Sequence, residues 1–321
     1  QDYLHLRRLA PKNKKLGRMV AIMGDAELDE GNVFEALLEG WKHESRNLWW
    51  IIDYNRQSLD RVVSDRLFQK IKDFFDAVGW KVIILKYGKL LKKAFKEKGG
   101  KDLQKWIDEC PNELYSALTF IGGAAFRKKI ESELGHIPGV MQLIGSRTDE
   151  QLHKLMTNLA GHDMEAVIEG FQNVDDSVPH CFIIYTIKGF GLPFAGHKDN
   201  HAGLMNNQQM ASFRDSMKIT DGEEWDYFSG LNVSKKSLEN FLARTPLYQP
   251  KNKVKDNKII EVPETLPLKI SAQMSTQEAF GKILNELGKG DTQLADRIVT
   301  TSPDVTVSTN LGGWVNRRGI F

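Results

Sequence analysis

Two oxygen-bearing side chains stand where apolar runs give way to polar residues. Asp25 follows the run from Arg18 to Met23 and Gly24, and Asn55 follows Leu48-Trp49-Trp50-Ile51-Ile52 and Asp53-Tyr54 thirty residues further on. A carboxylate and an amide oxygen are hard ligands that suit a small octahedral cation such as magnesium, which keeps its other positions for backbone oxygen, water and ligand phosphates. The plainer role for each is to cap a helix or a turn. The residues alone leave both roles open. Further along, Gly196-His197-Lys198-Asp199-Asn200-His201-Ala202-Gly203 gathers two of the eight histidines within five positions. Imidazole exchanges a proton near neutral pH, so the pair suits acid–base work, although an ordinary polar loop explains it too. Zinc is disfavoured, because no cysteine or third histidine has suitable spacing.

The elements that must position these groups are legible from hydrophobic spacing. Short apolar runs at Arg18–Met23, Leu48–Ile52, Lys81–Leu85 and Cys181–Thr186 read as strands. Between them lie helical stripes: Phe34, Leu37, Leu38 and Trp41, then Leu67, Ile71, Phe74, Phe75 and Val78. Strands that are apolar on both faces and alternate with helices predict a parallel sheet covered on both sides. In such a sheet Asp25 and Asn55 are neighbours in the crevice at the carboxyl ends of the strands. A following helix N-terminus there can donate N–H groups to phosphate. Thr148 with Gln151 predicts a capping box ahead of the stripe Leu152, Leu155, Met156 and Leu159. Asp163 is expected to cap a helix whose Met164, Val167 and Ile168 face inward. The long segment from Lys188 to about Asn207 is a loop of the length that usually covers a site.

Composition excludes several classes. The 321 residues exceed what one hydrophobic core usually fills, and 44 Lys+Arg against 42 Asp+Glu leave a formal charge of only +2. That balance gives no reason to expect nucleic acid or an anionic membrane as partner. The eight lysines between Lys86 and Lys105 lack a stacking platform and read as a solvated helical surface. No apolar run approaches the roughly 20 residues that span a bilayer, and nothing at the start reads as a signal peptide. Cys110 and Cys181 are far apart and fit reduced thiols of a cytoplasmic protein. Pro246, Pro250, Pro263 and Pro267 mark a linker over 245–268, after which Ser275 and Glu278 cap a helix that opens a further α/β domain. The chain has no initiator methionine and closes on Gly319-Ile320-Phe321, so it is expected to be a piece of a longer polypeptide.

Gly24-Asp25-Ala26-Glu27-Leu28-Asp29-Glu30-Gly31, with Asp53-Tyr54-Asn55-Arg56-Gln57-Ser58-Leu59-Asp60 downstream, resembles the thiamine diphosphate signature Gly-Asp-Gly … Asn. Ala26 stands where most of these proteins have the second glycine. That departure is shared with the homodimeric decarboxylating component of pyruvate dehydrogenase complexes, which the stretch from about Arg18 to Asn207 resembles. Gly161-His162-Asp163 and Thr186-Ile187-Lys188-Gly189-Phe190-Gly191 strengthen the likeness. Transketolase is the broader relative.

The resemblance implies an α/β thiamine diphosphate-binding fold, with a largely parallel sheet flanked by helices and followed by the start of a second α/β domain. It implies a diphosphate- and magnesium-binding domain over 1–244, the linker 245–268, and the beginning of a pyrimidine-binding domain over 269–321. Asp25 and Asn55 would supply side-chain oxygens to Mg2+ and Gln57 its backbone carbonyl. Gly24, Ala26, Glu27, Glu30, His162 and Lys188 would lie around the cofactor, with a solvated helix start as the plain account of the two glutamates and a packing role as that of His162. The histidine loop would close over substrate, with His201 the position that matches the family's histidine and His197 its competitor. The implied reaction is decarboxylation of a 2-oxo acid, most simply pyruvate, with the acyl unit passed to a lipoyl domain of a dihydrolipoyl acyltransferase. The implied assembly is a homodimer with the site at the subunit interface. The glutamate that activates the cofactor is expected beyond Phe321, and Asp304-Val305 falls where adjacent acids are expected. The 321 residues alone are accordingly expected to bind the cofactor weakly. Ketol transfer between sugar phosphates and a non-catalytic interaction protein on the same fold are the alternatives.

Overall fold

The computed structural model describes residues 17–57, 67–174, 177–201, 203–245, 259–266, 268, 273–290, 292–302 and 306–319. Two compact units divide the chain, Gln1–Asn232 and Val233–Phe321. The first contains four strands, β1 (Met19–Gly24), β2 (Leu48–Tyr54), β3 (Lys81–Leu85) and β4 (His180–Tyr185), in the order β1-β2-β4-β3 with every pairing parallel. Helix α1 (Gly31–Lys42) joins β1 to β2, and α2 (Leu67–Ala77) precedes β3. Between β3 and β4 the chain builds a helical layer from α3 (Lys89–Ala94), α4 (Gly100–Glu109), α5 (Asn112–Ile121), α6 (Gly123–Leu134), α7 (Pro138–Gly145), α8 (Asp149–Met156) and α9 (Met164–Gln172). Helix α10 (Asn207–Ser216) follows β4. This is the parallel, helix-flanked α/β sheet that the spacing of the apolar runs predicts.

Alternation along the central strands sorts their side chains to two cores. Trp50, Ile52, Tyr54, Cys181, Ile183 and Tyr185 face Ile71, Phe75 and Trp80 on one side. Trp50, Phe75 and Trp80 form a mutual edge-on triad with ring centroids 5.3–5.6 Å apart. Each such ring removed from water contributes roughly 1.5–3 kcal/mol. Trp49, Phe182 and Ile184 turn the other way, onto Leu85, Ala160 and Ala166. The Thr148–Gln151 capping box and the Asp163 cap form as their residue types predict.

Three expectations fail. Covering of both faces does not extend to β1, where Met19, Val20 and Ile22 are 54, 47 and 74% exposed. Helix α9 covers that side of the sheet by packing on the Trp49, Phe182 and Leu85 cluster, and β1 lies at the edge beyond it. In α9 the inward residues are Ala166 and Gly170, whereas Met164 and Ile168 are exposed. Small residues allow the helix to sit close on Leu85, as a Cβ on Gly170 would come within 2.7 Å of Leu85 Cδ1. The lysine-rich segment is a solvated surface except at its first residue, Lys86, which turns inward to pair with Asp108.

The second unit, among its described residues, contains α11 (Lys235–Leu242), α12 (Thr276–Leu287) and α13 (Gly312–Arg318). Ser275 and Glu278 form the expected capping box, and Leu284, Ala295, Leu311 and Trp314 make a small core. Most of the linker at 245–268 and all of Asp304-Val305 lie outside the described residues. Among the described residues no helix is long and apolar enough to cross a membrane.

Candidate functional site

Strand β1 ends at Gly24, and the chain enters a short 3-10 turn, Asp25–Asp29, before α1 begins. The polar segment between strand and helix is thus one tight turn, and the helix spans the expected stripe of Phe34, Leu37, Leu38 and Trp41. Asp25 is 2% exposed. Its Oδ2 accepts the backbone N–H of Arg56 at 2.8 Å, while its Oδ1 is buried with no hydrogen-bond partner among the described residues. Burial raises the carboxyl pKa to about 6, opposed by the Arg56 N–H and reinforced by the charge of Asp53. A buried carboxylate with one oxygen hydrogen-bonded and the other without a hydrogen-bond partner among the described residues is a site that a cation completes.

Asn55 leaves β2, the strand paired beside that of the carboxylate, at nearly the same level, since Gly24 is in register with Asp53. Its Oδ1 accepts the backbone N–H of Gln57 at 2.9 Å, a side-chain-closed turn. The plain turn-capping role is thus realised here, and it leaves the second lone pair of the amide oxygen for another partner. Arg56 between them has φ +65°, a backbone conformation disfavoured for a side chain of this size. The consequence is geometric. Consecutive peptide N–H groups, those of Arg56 and Gln57, hold one oxygen of Asp25 and the oxygen of Asn55 respectively. The two candidate ligands are thereby gathered on one dipeptide, on which Gln57 also carries its carbonyl.

The same turn reaches the histidine loop. Gln57 is 4% exposed, and its Nε2 donates to the Gly196 carbonyl at 3.1 Å and to Ser116 Oγ at 3.4 Å. Gly196 has φ +78°, and a Cβ there would lie 2.9 Å from the Ser116 carbonyl oxygen, so glycine is required on both counts. The loop closes on itself through Lys188, whose carbonyl accepts from Gly196 N at 3.2 Å and from Asn200 Nδ2 at 2.5 Å. His197 is half-buried with its ring 4.6 Å from that of Phe120, and His201 is exposed at the end of a short 3-10 turn, Lys198–His201.

His162 anchors the start of this loop. Its Nε2 accepts the backbone N–H of Ile187 at 2.8 Å, which places the ring proton on Nδ1, and the ring stacks on Phe190 at 3.8 Å and 8°. Nε2 can accept this N–H only from a neutral ring, and burial lowers the ring's pKa in the same sense, with Asp53 opposing. Glu27 and Glu30 are exposed, and among the described residues neither bonds to the Asp25–Asn55 turn. Glu30 instead precedes α1, accepting Val33 N–H on its carbonyl at 3.1 Å. Ala26 is half-buried within the 3-10 turn. Sequence reasoning passed over Asp53, which accepts from the Thr186 hydroxyl and whose charge acts on both Asp25 and His162. An acid inside an otherwise apolar strand was the available signal. It also passed over Arg56, 7% exposed, with its guanidinium 4.5 Å from the Tyr115 ring.

Among the described residues no group of three or more His, Cys, Asp or Glu gathers into a metal site. A set of one carboxylate, one amide and one carbonyl lies outside that description, and it fits a hard cation that draws its other ligands from a bound phosphate.

No protein-family model matches the chain. Pyruvate dehydrogenase E1 component from Escherichia coli K12 is 25% identical over 337 residues, covering 99% of this chain and 37% of that protein. The protein of the same name from Pseudomonas aeruginosa is 25% identical over 336 residues, with the same coverage. That from Buchnera aphidicola of Acyrthosiphon pisum is 30% identical over 198 residues, covering 59% of this chain and 21% of the relative. The chain therefore spans a little over a third of the length of the relatives that match it end to end, at 37%. Among solved structures, transketolase from Campylobacter jejuni aligns over 89% of this chain and 35% of its own, with 15% identity and a TM-score of 0.36. The resemblance read from the Gly24–Gly31 and Asp53–Asp60 segments thus extends over essentially the whole sequence.

Proposed function

We propose that this chain carries the diphosphate- and metal-binding part of a thiamine diphosphate-dependent 2-oxo acid decarboxylase of the pyruvate dehydrogenase kind. The observation that carries this reading is the unpartnered, buried Oδ1 of Asp25, set on the same dipeptide as the Asn55 oxygen. Asp25, Asn55 and the Gln57 carbonyl would hold Mg2+, and through it the cofactor diphosphate. When bound, thiamine diphosphate supplies the carbanion and the electron sink that decarboxylation needs.

The chain's own residues do the positioning. Asp25 must be ionised to bind the ion, and the cation's charge offsets the burial that otherwise holds its proton. Gln57 ties the ligand turn to Gly196, so the metal site and the loop bearing His197 and His201 are held together. His201 reaches solvent at the loop's end and is the group placed to exchange a proton with an incoming substrate, while His197 is restrained against Phe120. Closure of the loop would exclude water from the reacting carbon. His162, neutral and accepting from Ile187, fixes the loop's first residue, and Lys188 contributes the carbonyl on which the loop folds back. Glu27 and Glu30, on the exposed side of the turn, are placed to meet a second subunit of a homodimer. The acceptor of the acyl unit is the lipoyl domain of a partner acyltransferase, and reduced thiols at Cys110 and Cys181 suit a cytoplasmic protein.

Pyruvate offered to the full-length protein with a chemical electron acceptor should be consumed only when both thiamine diphosphate and Mg2+ are present. Turnover of xylulose phosphate with an aldose acceptor, and none of pyruvate, would instead assign ketol transfer. Binding of neither cofactor nor metal to the full-length protein would remove the reading altogether.

A further inference from the structure

The side chain of Arg56 points away from the ligand turn that its backbone builds. It lines a cavity of about 190 Å³ at the carboxyl ends of β2, β4 and β3, together with Tyr54, Lys86, Asp108, Tyr115 and Tyr185. The guanidinium lies 4.5 Å from the centre of the Tyr115 ring and 5.7 Å from that of Tyr185. Arg56 is buried, only 7% exposed, and its Nε has no hydrogen-bond partner among the described residues. Among the described residues that line the cavity, Asp108 is already committed, since it pairs with Lys86 and accepts the Tyr87 hydroxyl. Glu109 is exposed at the rim. A guanidinium taken out of water without a carboxylate costs several kcal/mol unless an anion answers it, and two tyrosine faces recover only part of that cost.

We infer that this cavity is a binding site for a small oxyanion, a phosphate or a carboxylate, with Arg56 as its principal donor and Lys86 as its second cation. The space is smaller than the 300–1,000 Å³ typical of sites for larger organic ligands, which restricts the class to anions of a few heavy atoms. The Tyr115 hydroxyl is committed to the Met156 carbonyl at 2.5 Å, so of the wall tyrosines it is Tyr185 that can donate to an oxygen the guanidinium does not take. The fork geometry of guanidinium suits two oxygens of one ligand, where an ammonium would offer only a point charge. Because Arg56 itself lies between Asn55 and Gln57, an occupied cavity also fixes the unusual backbone of that residue. The site needs neither the metal nor the cofactor to exist, so it stands or falls apart from the decarboxylase reading.

Titration calorimetry on the full-length protein, with sodium phosphate and with sodium acetate in separate arms, tests this. Chloride holds the ionic strength constant, and EDTA removes any metal-dependent phosphate binding elsewhere. Saturable binding of one or both anions is expected, the arm that binds naming the source of the oxygens. Arg56→Met should weaken it tenfold or more. Asp108→Asn, which frees Lys86 and removes the competing charge, should tighten it several-fold, a gain that a misfolded variant cannot give. Absence of saturable binding, equal affinity in Arg56→Met, or no gain in Asp108→Asn would each overturn the site.

Discussion

Replacing Asp25 by asparagine isolates the charge at the centre of the proposed metal site. The wild-type carboxyl is held at a pKa of about 6 against 3.8 for an ordinary aspartate, chiefly by burial. Two pKa units and a little more correspond to about 3 kcal/mol of preference for the neutral acid in the folded state, at 1.36 kcal/mol per unit. The folded pKa lies above the unfolded one, so the folded chain holds the proton more tightly. The associated stability is fully present below the unfolded pKa and is lost as pH rises through about 6. Between pH 5 and pH 8 the wild type should lose about 1.4 kcal/mol through this group alone, and the asparagine variant none.

The measurement is urea denaturation of wild type and Asp25→Asn at both pH values, with EDTA and then with Mg2+ and thiamine diphosphate. Asparagine keeps an acceptor for the Arg56 N–H but buries an unpartnered amide donor, which costs about 1–3 kcal/mol at either pH. The informative quantity is therefore the change in the difference between the two proteins from pH 5 to pH 8, in which that fixed cost cancels. Metal and cofactor should restore the wild type at pH 8 by binding the ionised carboxylate, and should do nothing for the variant. A wild-type pH dependence parallel to that of the variant would refute the assigned burial of Asp25. Equal stabilisation of both proteins by Mg2+ and cofactor would refute its role as ligand.

Two further outcomes separate positioning from ligation and test the core. Gln57→Ala retains the backbone carbonyl but loses the bond to Gly196, so steady-state kinetics of the full-length protein should show kcat/KM lower by about tenfold, with Mg2+ affinity changed by less than about threefold. A matching loss of Mg2+ affinity would mean that the side chain serves the metal and not the loop. Cys181 is fully buried and its thiol is pushed well above the usual range by desolvation, whereas Cys110 is half-buried. Mass spectrometry after iodoacetamide treatment of the folded protein should therefore find label on Cys110 and none on Cys181, with both labelled in urea; label on Cys181 under native conditions would contradict its place in the central strand.

What was legible in the sequence is what short-range patterns determine. The four apolar runs are β-rich and bounded by polar residues, so strand number, parallel pairing and the position of Asp25 and Asn55 at strand ends follow from spacing. The caps at Thr148, Asp163 and Ser275 form because each needs only a residue three positions away. Two of the failures, at β1 and on α9, have a common cause. Val20, Ile22, Met164 and Ile168 have the same residue types as buried neighbours, and their exposure depends on how far α9 extends across the sheet, which no local window contains.

The chemistry of the site divides along the same line. Asp25 and Asn55 could be named as a pair because both terminate strands, but the feature that makes them a site is the dipeptide between them. Its αL residue is an arginine, where glycine or asparagine would have announced the turn. The linkage of Gln57 to Gly196 spans 139 residues, and the tyrosines beside Arg56 come from β4 and α5. A residue in this position serves two environments at once. Its peptide N–H holds the Asp25 carboxylate, and its guanidinium lines the cavity walled by Tyr115 and Tyr185. Strain at Arg56 of roughly 1–3 kcal/mol is sustained only if both environments contribute to holding it. That is a physical reason to expect the turn to relax when either the carboxylate or the guanidinium is removed, and to expect a cation at Asp25 and an anion at Arg56 to stabilise it jointly.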